Sequence, residues 1–197
     1  MVLLPVVAVG QGLTLLDTLT PPRSPAEIYS PCNGSFGQAV ALGDFDGDGL
    51  ADLAVVRGSP TALYLYYSQK NGFTDPIVLT SMAGQVKFAD VNNDGIQDLI
   101  VIFQQTISVY YGRTSRLTGP ALSPDWTYVH TAPFTGGATP PVVDTIDYNY
   151  DGVDDLLFGV SSQDTALVFY GFCDRPSFCS VRHPSSVATS GRHPVRR

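Results

Sequence analysis

Ten aspartates and two asparagines of this chain occupy the recurring oxygen positions of three copies of one nine-residue pattern. The copies are Asp44-Phe45-Asp46-Gly47-Asp48-Gly49-Leu50-Ala51-Asp52, Asp90-Val91-Asn92-Asn93-Asp94-Gly95-Ile96-Gln97-Asp98 and Asp147-Tyr148-Asn149-Tyr150-Asp151-Gly152-Val153-Asp154-Asp155. Side-chain oxygens recur at positions 1, 3, 5 and 9 of each, with glycine at position 6. Alternate residues of a tight loop point inward, so positions 1, 3 and 5 converge on one point. Hard cations such as Ca²⁺ take several oxygen ligands in irregular geometry, which is what such a loop offers. The glycine permits a sharp turn where a Cβ would clash. The position 7 carbonyls, of Leu50, Ile96 and Val153, complete the candidate ligand set. The chemistry expected is therefore calcium binding at about three sites.

The charge supports a cation rather than a basic macromolecule as the ligand. The formal net charge is −7, with 18 acidic residues of which Glu27 is the one glutamate. Ten of the aspartates lie at the ligand positions, so the acidity is local, and nucleic acid is not an expected partner. Three Ca²⁺ would bring nearly enough positive charge to cancel the total. Without metal, the clustered carboxylates repel one another and loosen each loop.

The elements that must hold these loops read as strands. One glutamate and few Ala-Leu-Lys runs make poor helix material, whereas Val, Tyr, Phe, Ile and Thr favour sheet. Gln38–Leu42, Leu53–Val56, Ala62–Tyr67 and Ile77–Thr80 form four short strands, with turns at Gly58-Ser59-Pro60 and Asn71-Gly72. Val86–Ala89, Leu99–Phe103 and Ile107–Tyr111 follow, then Val142–Ile146, Leu156–Val160 and Ala166–Tyr170. The loops start 46 and 57 residues apart. The first spacing suits one four-stranded blade, and the second implies an insertion within Gly112–Pro141.

The chain divides into a leader over 1–30, a repeat region over 31–172 and a basic tail over 173–197. The leader Met1–Gly10 resembles the apolar region of a signal peptide without its basic flank, or else a first strand running into Leu13–Leu16; both readings stand. Asn33-Gly34-Ser35 fits an N-glycosylation acceptor. Cys173 and Cys179 can pair, leaving Cys32, or all three are unrelated thiols; without a CxxC pair, zinc is not expected. The tail lacks apolar periodicity and is expected to be disordered. No stretch is long enough to span a membrane.

Competing readings of the motif are weaker. An EF-hand needs a glutamate at position 12 and flanking helices, but position 12 is Val55, Val101 and Phe158. The carboxylates of Asp52, Asp98 and Asp155 must stand in. The strand leading to Asp44 and Asp46 resembles the opening of a haloacid dehalogenase-type phosphatase, with Asp44 as nucleophile and Asp46 as acid. Asn92 and Asn149 at the second position cannot act as that acid. His130 is expected on a strand surface, and the tyrosines at 64, 66, 67, 110 and 111 in strand packing. No catalytic residues are expected.

Phe36-Gly37, the first loop and Gly58-Ser59-Pro60 together resemble an FG-GAP repeat, the blade unit of integrin α-chain propellers, with Ser where that family has Ala. The second and third copies lack both flanking elements and resemble the related VCBS repeat. The likeness covers about 36–172. It implies an all-β fold, a partial β-propeller of about three four-stranded blades, with calcium loops that stiffen the blades. It implies a secreted, extracellular or lumenal module for adhesion or protein binding, whose partners are a protein ligand or further propeller blades, with longer relatives anchored in a membrane. An accessory propeller piece of an extracellular enzyme is the alternative. Three blades fall short of the roughly four to eight that close a propeller. The expectation is therefore a fragment, a truncated product, or a chain that completes its ring by association.

Overall fold

A computed structural model of the chain describes residues 35–81, 83–118, 123–130, 142–160, 165–172 and 188–189. The described elements are all strands. The first sheet contains β1 (Phe36–Gly43), β2 (Asp52–Gly58), β3 (Thr61–Tyr66) and β6 (Ile77–Thr80), in that order. A two-residue-per-strand hairpin, β4 (Ser68–Gln69) and β5 (Gly72–Phe73), projects between β3 and β6. The second sheet runs β7 (Gln85–Ala89), β8 (Asp98–Phe103), β9 (Thr106–Tyr110) and β10 (Trp126–Val129). The third runs β11 (Val142–Ile146), β12 (Asp155–Val160), β13 (Thr165–Phe169) and β14 (Ala188–Thr189). Each is an antiparallel meander, and each acidic pattern is the connection between its first two strands.

The packing follows from strand alternation. In β8, Leu99 and Val101 join a core shared with the first sheet, where they meet Phe45, Val56, Leu63, Leu65 and Leu79. Ile100 and Ile102 point the other way, into a core shared with the third sheet that contains Val143, Leu156, Phe158 and Leu167. The second sheet is thus covered on both faces, which is why its central strand reads Leu-Ile-Val-Ile-Phe without polar interruption. Face-to-face stacking of four-stranded meanders is the relation between neighbouring propeller blades. The molecule is a partial β-propeller. Lys87 on β7 adds an ion pair to Asp144 on β11.

Two expectations are corrected. The segment read as an insertion supplies β10, whose residues pair with β9 from Trp126↔Val109 to Val129↔Thr106. Trp126 and Tyr128 stack and pack against Phe169, so the longer second repeat lengthens the route to the fourth strand rather than adding a separate unit. Of the tail, the described residues are Ala188 and Thr189, which pair with β13 as β14 through Leu167↔Thr189 and Val168↔Ala188. Pairing at a sheet edge uses backbone groups and needs no apolar periodicity. His130, expected at the surface, is buried after β10: its N–H donates to the Gln105 carbonyl (2.8 Å) and its ring lies against Phe158. The leader, the Asn33 acceptor site and all three cysteines lie outside the described residues.

Candidate metal centre

The three loops share one scheme of backbone hydrogen bonds. Position 1 accepts two backbone N–H groups, one on each carboxylate oxygen. Asp48 and Gly49 donate to Asp44 at 3.1 and 2.8 Å, Asp94 and Gly95 to Asp90 at 3.2 and 2.9 Å, Asp151 and Gly152 to Asp147 at 3.0 and 2.9 Å. Position 3 accepts from the same position 5 amide, at 3.2 Å in Asp46 and 3.0 Å in both Asn92 and Asn149. Position 5 accepts from position 7, so that Leu50, Ile96 and Val153 donate to Asp48, Asp94 and Asp151 at 2.8 to 2.9 Å. These bonds fold positions 1, 3 and 5 onto one point. In the first loop, carboxylate oxygens of Asp44, Asp46 and Asp48 lie within 4.8 Å of one another.

The backbone explains why glycine recurs at position 6. Gly49, Gly95 and Gly152 have φ of +84, +88 and +87°, with nothing within 4 Å of where a Cβ would stand. Conformation, not space, selects glycine. Position 4 is also left-handed, but Asn93 and Tyr150, at +53 and +59°, sit where L-residues are tolerated.

Position 9 does a second job. Asp52, Asp98 and Asp155 open β2, β8 and β12, opposite Gly43, Ala89 and Ile146, and are fully buried. One oxygen accepts the N–H of loop position 2: Phe45 at 3.0 Å, Val91 at 2.9 Å, Tyr148 at 2.9 Å. The other accepts an N–H just beyond the third strand of the blade: Ser68 at 2.8 Å, Gly112 at 2.9 Å, Gly171 at 2.8 Å. Each carboxylate ties its loop to its own blade, and Asp155 also accepts the Asn149 N–H at 3.3 Å. Burial pushes Asp98 up to about 7 and raises Asp52 and Asp155 in the same direction, while the paired amides pull all three down. A Cβ at Gly112 or Gly171 would come within 2.5 Å of the carbonyl oxygens of Gln97 or Asp154, so the amide reaches its carboxylate only as glycine there.

The loops also join neighbouring blades. Gln97 donates its backbone N–H to the Asp44 carbonyl (3.1 Å), and its side-chain oxygen accepts from the Asp44 amide (2.9 Å). The N–H of Arg113 meets the Phe45 carbonyl at 3.0 Å, and that of Phe172 meets the Val91 carbonyl at 2.9 Å, the same link one blade on. Position 2 side chains follow suit. Phe45 and Val91 are buried between blades, whereas Tyr148 is 55% exposed on the third.

Of the sequence-predicted ligands the structure brings the carboxylates of Asp44, Asp46 and Asp48 together, while Asp52, Asp98 and Asp155 stand at strand starts with their oxygens on backbone amides. Sequence reasoning missed the glycines at 112 and 171, whose only signal is a lone Gly two residues past a strand. It also missed Arg116, which nothing in the pattern marks. Its guanidinium reaches Asp46 and Asp48 of the first loop from the β9–β10 connection. The donor chemistry fits Ca²⁺: three acid-rich oxygen clusters, against which Arg116 is the one cation paired among the described residues.

Residues 44–101 and 90–158 each match the FG-GAP-like repeat. No curated protein matches the chain.

Proposed function

We propose, from the premise that this chain belongs to the family of FG-GAP-like repeats and is an integrin-α-like propeller module, that it is a calcium-stiffened, non-catalytic module for binding proteins outside the cell or in a lumen. The observation that supports this most is the repetition of one hydrogen-bond scheme in three loops. Each folds its acidic side chains inward on the same backbone amides, and among the described residues only the first is met by a cationic side chain, Arg116. Asp44, Asp46, Asp48, Asp52 and the Leu50 carbonyl would hold one ion. Asp90, Asn92, Asp94, Asp98 and the Ile96 carbonyl would hold a second, and Asp147, Asn149, Asp151, Asp155 and the Val153 carbonyl a third. Bound Ca²⁺ supplies positive charge that relieves carboxylate repulsion. The residues themselves hold the loop on its blade, through position 9, and blade against blade, through positions 1 and 2.

An extracellular or lumenal compartment would suit loops of this kind. Calcium modules outside the cell typically bind at about 10⁻⁴–10⁻³ M, a range filled only where calcium is millimolar. The Asn33 acceptor site points the same way. Among the described residues no helix is long and apolar enough to cross a membrane. The reading as non-catalytic is supported at the first loop, where Asp46 is paired with Arg116 and both oxygens of Asp44 accept loop amides, an arrangement that does not suit this pair to phosphatase-like nucleophile and acid roles.

The surface on which a partner would act is marked by register. Val40 and Leu42 on β1 stand at the same distance before the loop as Val86 and Phe88 on β7. Val86 and Phe88 pack on the first blade, whereas Val40 and Leu42 are 61% and 64% exposed. The outward face of the first blade is therefore shaped to receive a further blade or an apolar protein ligand. Calcium titration of the full chain, with melts in calcium and in chelator, tests the metal reading. Three loops that bind nothing at millimolar calcium would refute it.

A further inference from the structure

The first loop differs from its two repeats at a single pair of atoms. In the second and third loops the outer atoms of positions 3 and 5 are joined internally: Asn92 Nδ2 donates to Asp94 Oδ2 at 3.1 Å, and Asn149 Nδ2 to Asp151 Oδ2 at 2.8 Å. In the first loop position 3 is Asp46, which has no donor when ionised, and two carboxylate oxygens face each other there. The guanidinium of Arg116 fills that place. Its Nε donates to Asp46 Oδ2, and its Nη2 donates to Asp48 Oδ2 at 3.0 Å.

Arg116 is also seated on the loop's own blade. Nη2 donates to the Ser68 carbonyl at 3.0 Å, and the guanidinium carbon lies 5.0 Å from the Tyr67 ring centroid. The next residue, Leu117, donates its N–H to the Tyr67 hydroxyl at 3.0 Å. Ser68, in turn, donates its amide to Asp52, the position 9 carboxylate of the same loop. The planar fork of an arginine suits two carboxylates at once, as a lysine would not. A segment of the second blade thus carries a cation into the acidic cluster of the first.

We propose that Arg116 is an internal competitor for the first calcium loop, so that this loop binds Ca²⁺ more weakly than the other two and binding there frees Arg116 and loosens the adjoining Leu117 contact with the first blade. The inference rests on the calcium reading above. A divalent ion and a guanidinium draw on the same Asp46 and Asp48 carboxylates, and filling the loop with one weakens its hold on the other. The second and third loops carry no such burden, because there an uncharged Asn amide donates to the outer Asp oxygen in place of a guanidinium.

The test is calorimetric titration of Ca²⁺ into the full chain and into Arg116→Gln and Asp46→Asn, with hydrogen exchange at the Leu117 amide. The wild type is expected to show two sites and a third about tenfold weaker. Arg116→Gln keeps the stem, removes the charge, and should bring the third site level with the others. Asp46→Asn rebuilds the Asn–Asp bond of the other loops and should do the same. Saturating calcium should speed exchange of the Leu117 amide in the wild type, since its partner contact loosens as Arg116 leaves. Three sites of equal affinity, unchanged in Arg116→Gln, would overturn this inference and leave the calcium reading intact. Absence of calcium binding in all three proteins would overturn both.

Discussion

Replacing Asp98 by alanine tests the position 9 carboxylate as a structural tie, independently of metal. Asp98 is fully buried, and its two oxygens accept the amides of Val91 and Gly112 at 2.9 Å each. Alanine leaves both donors without an acceptor. A buried amide left unsatisfied costs about 1–3 kcal/mol, so the pair costs roughly 2–6 kcal/mol. A second consequence adds to this: the loop entrance and the residue after β9 lose their common anchor. The loss is a large share of a domain's total stability of about 5–15 kcal/mol. Urea unfolding of wild type and Asp98→Ala in chelator gives the difference directly. A control at position 5, Asp94→Ala, removes a partly exposed acid and should cost about 1 kcal/mol or less in chelator. A loss below about 1 kcal/mol in Asp98→Ala, at unchanged m-value, would refute the argument, because it would mean the two amides are satisfied without the carboxylate.

Acidity should move the calcium-free protein in a direction opposite to ordinary salt-bridged carboxylates. Burial raises the folded pKa of Asp98 from 3.8 to about 7, and Asp52 and Asp155 shift the same way. Between those values the unfolded chain has released a proton that the folded one still binds, so stability falls as pH rises through that window. In chelator the urea midpoint should therefore be higher at pH 5 than at pH 8, with the dependence reduced in Asp98→Asn; a higher midpoint at pH 8 would contradict the burial argument. Gly95→Ala, at φ +88° in open space, should cost about 1–2 kcal/mol of strain, measured by thermal melts. Phe88→Ala should cost about 3–5 kcal/mol by emptying the inter-blade core, while Leu42→Ala at the corresponding exposed position should cost less than about 1 kcal/mol. Equal losses at the two sites would show that the outward face of the first blade is already covered.

Most strands were legible because their alternation is strict. β8 announces its burial on both faces by an unbroken apolar run, and the loops announce themselves by Asp-x-Asp/Asn-x-Asp-Gly. The fourth strand of the second blade was not legible. Trp126–Val129 alternates over only four residues and follows a Pro- and Gly-containing segment, so local pattern could not distinguish it from a loop. β14 is two residues long, too short for any alternation to mark it. At the site, position and residue type gave the ligand set, but the division of labour within it did not follow from spacing. The tie made by Asp98 depends on Gly112, which lies 14 residues away and arrives through the β8–β9 turn. Arg116 meets Asp46 across 70 residues, and only the stacking of two blades brings them together.

The account stands most directly on whether the loops bind calcium. Calorimetric titration into the full chain, paired with melts in 2 mM calcium and in chelator, measures this. About three sites are predicted. Each ion at ten times its dissociation constant contributes about 1.4 kcal/mol, so the calcium-loaded protein should melt several degrees above the chelated one. No binding heat together with superimposable melts would contradict the claim that these three loops are calcium sites.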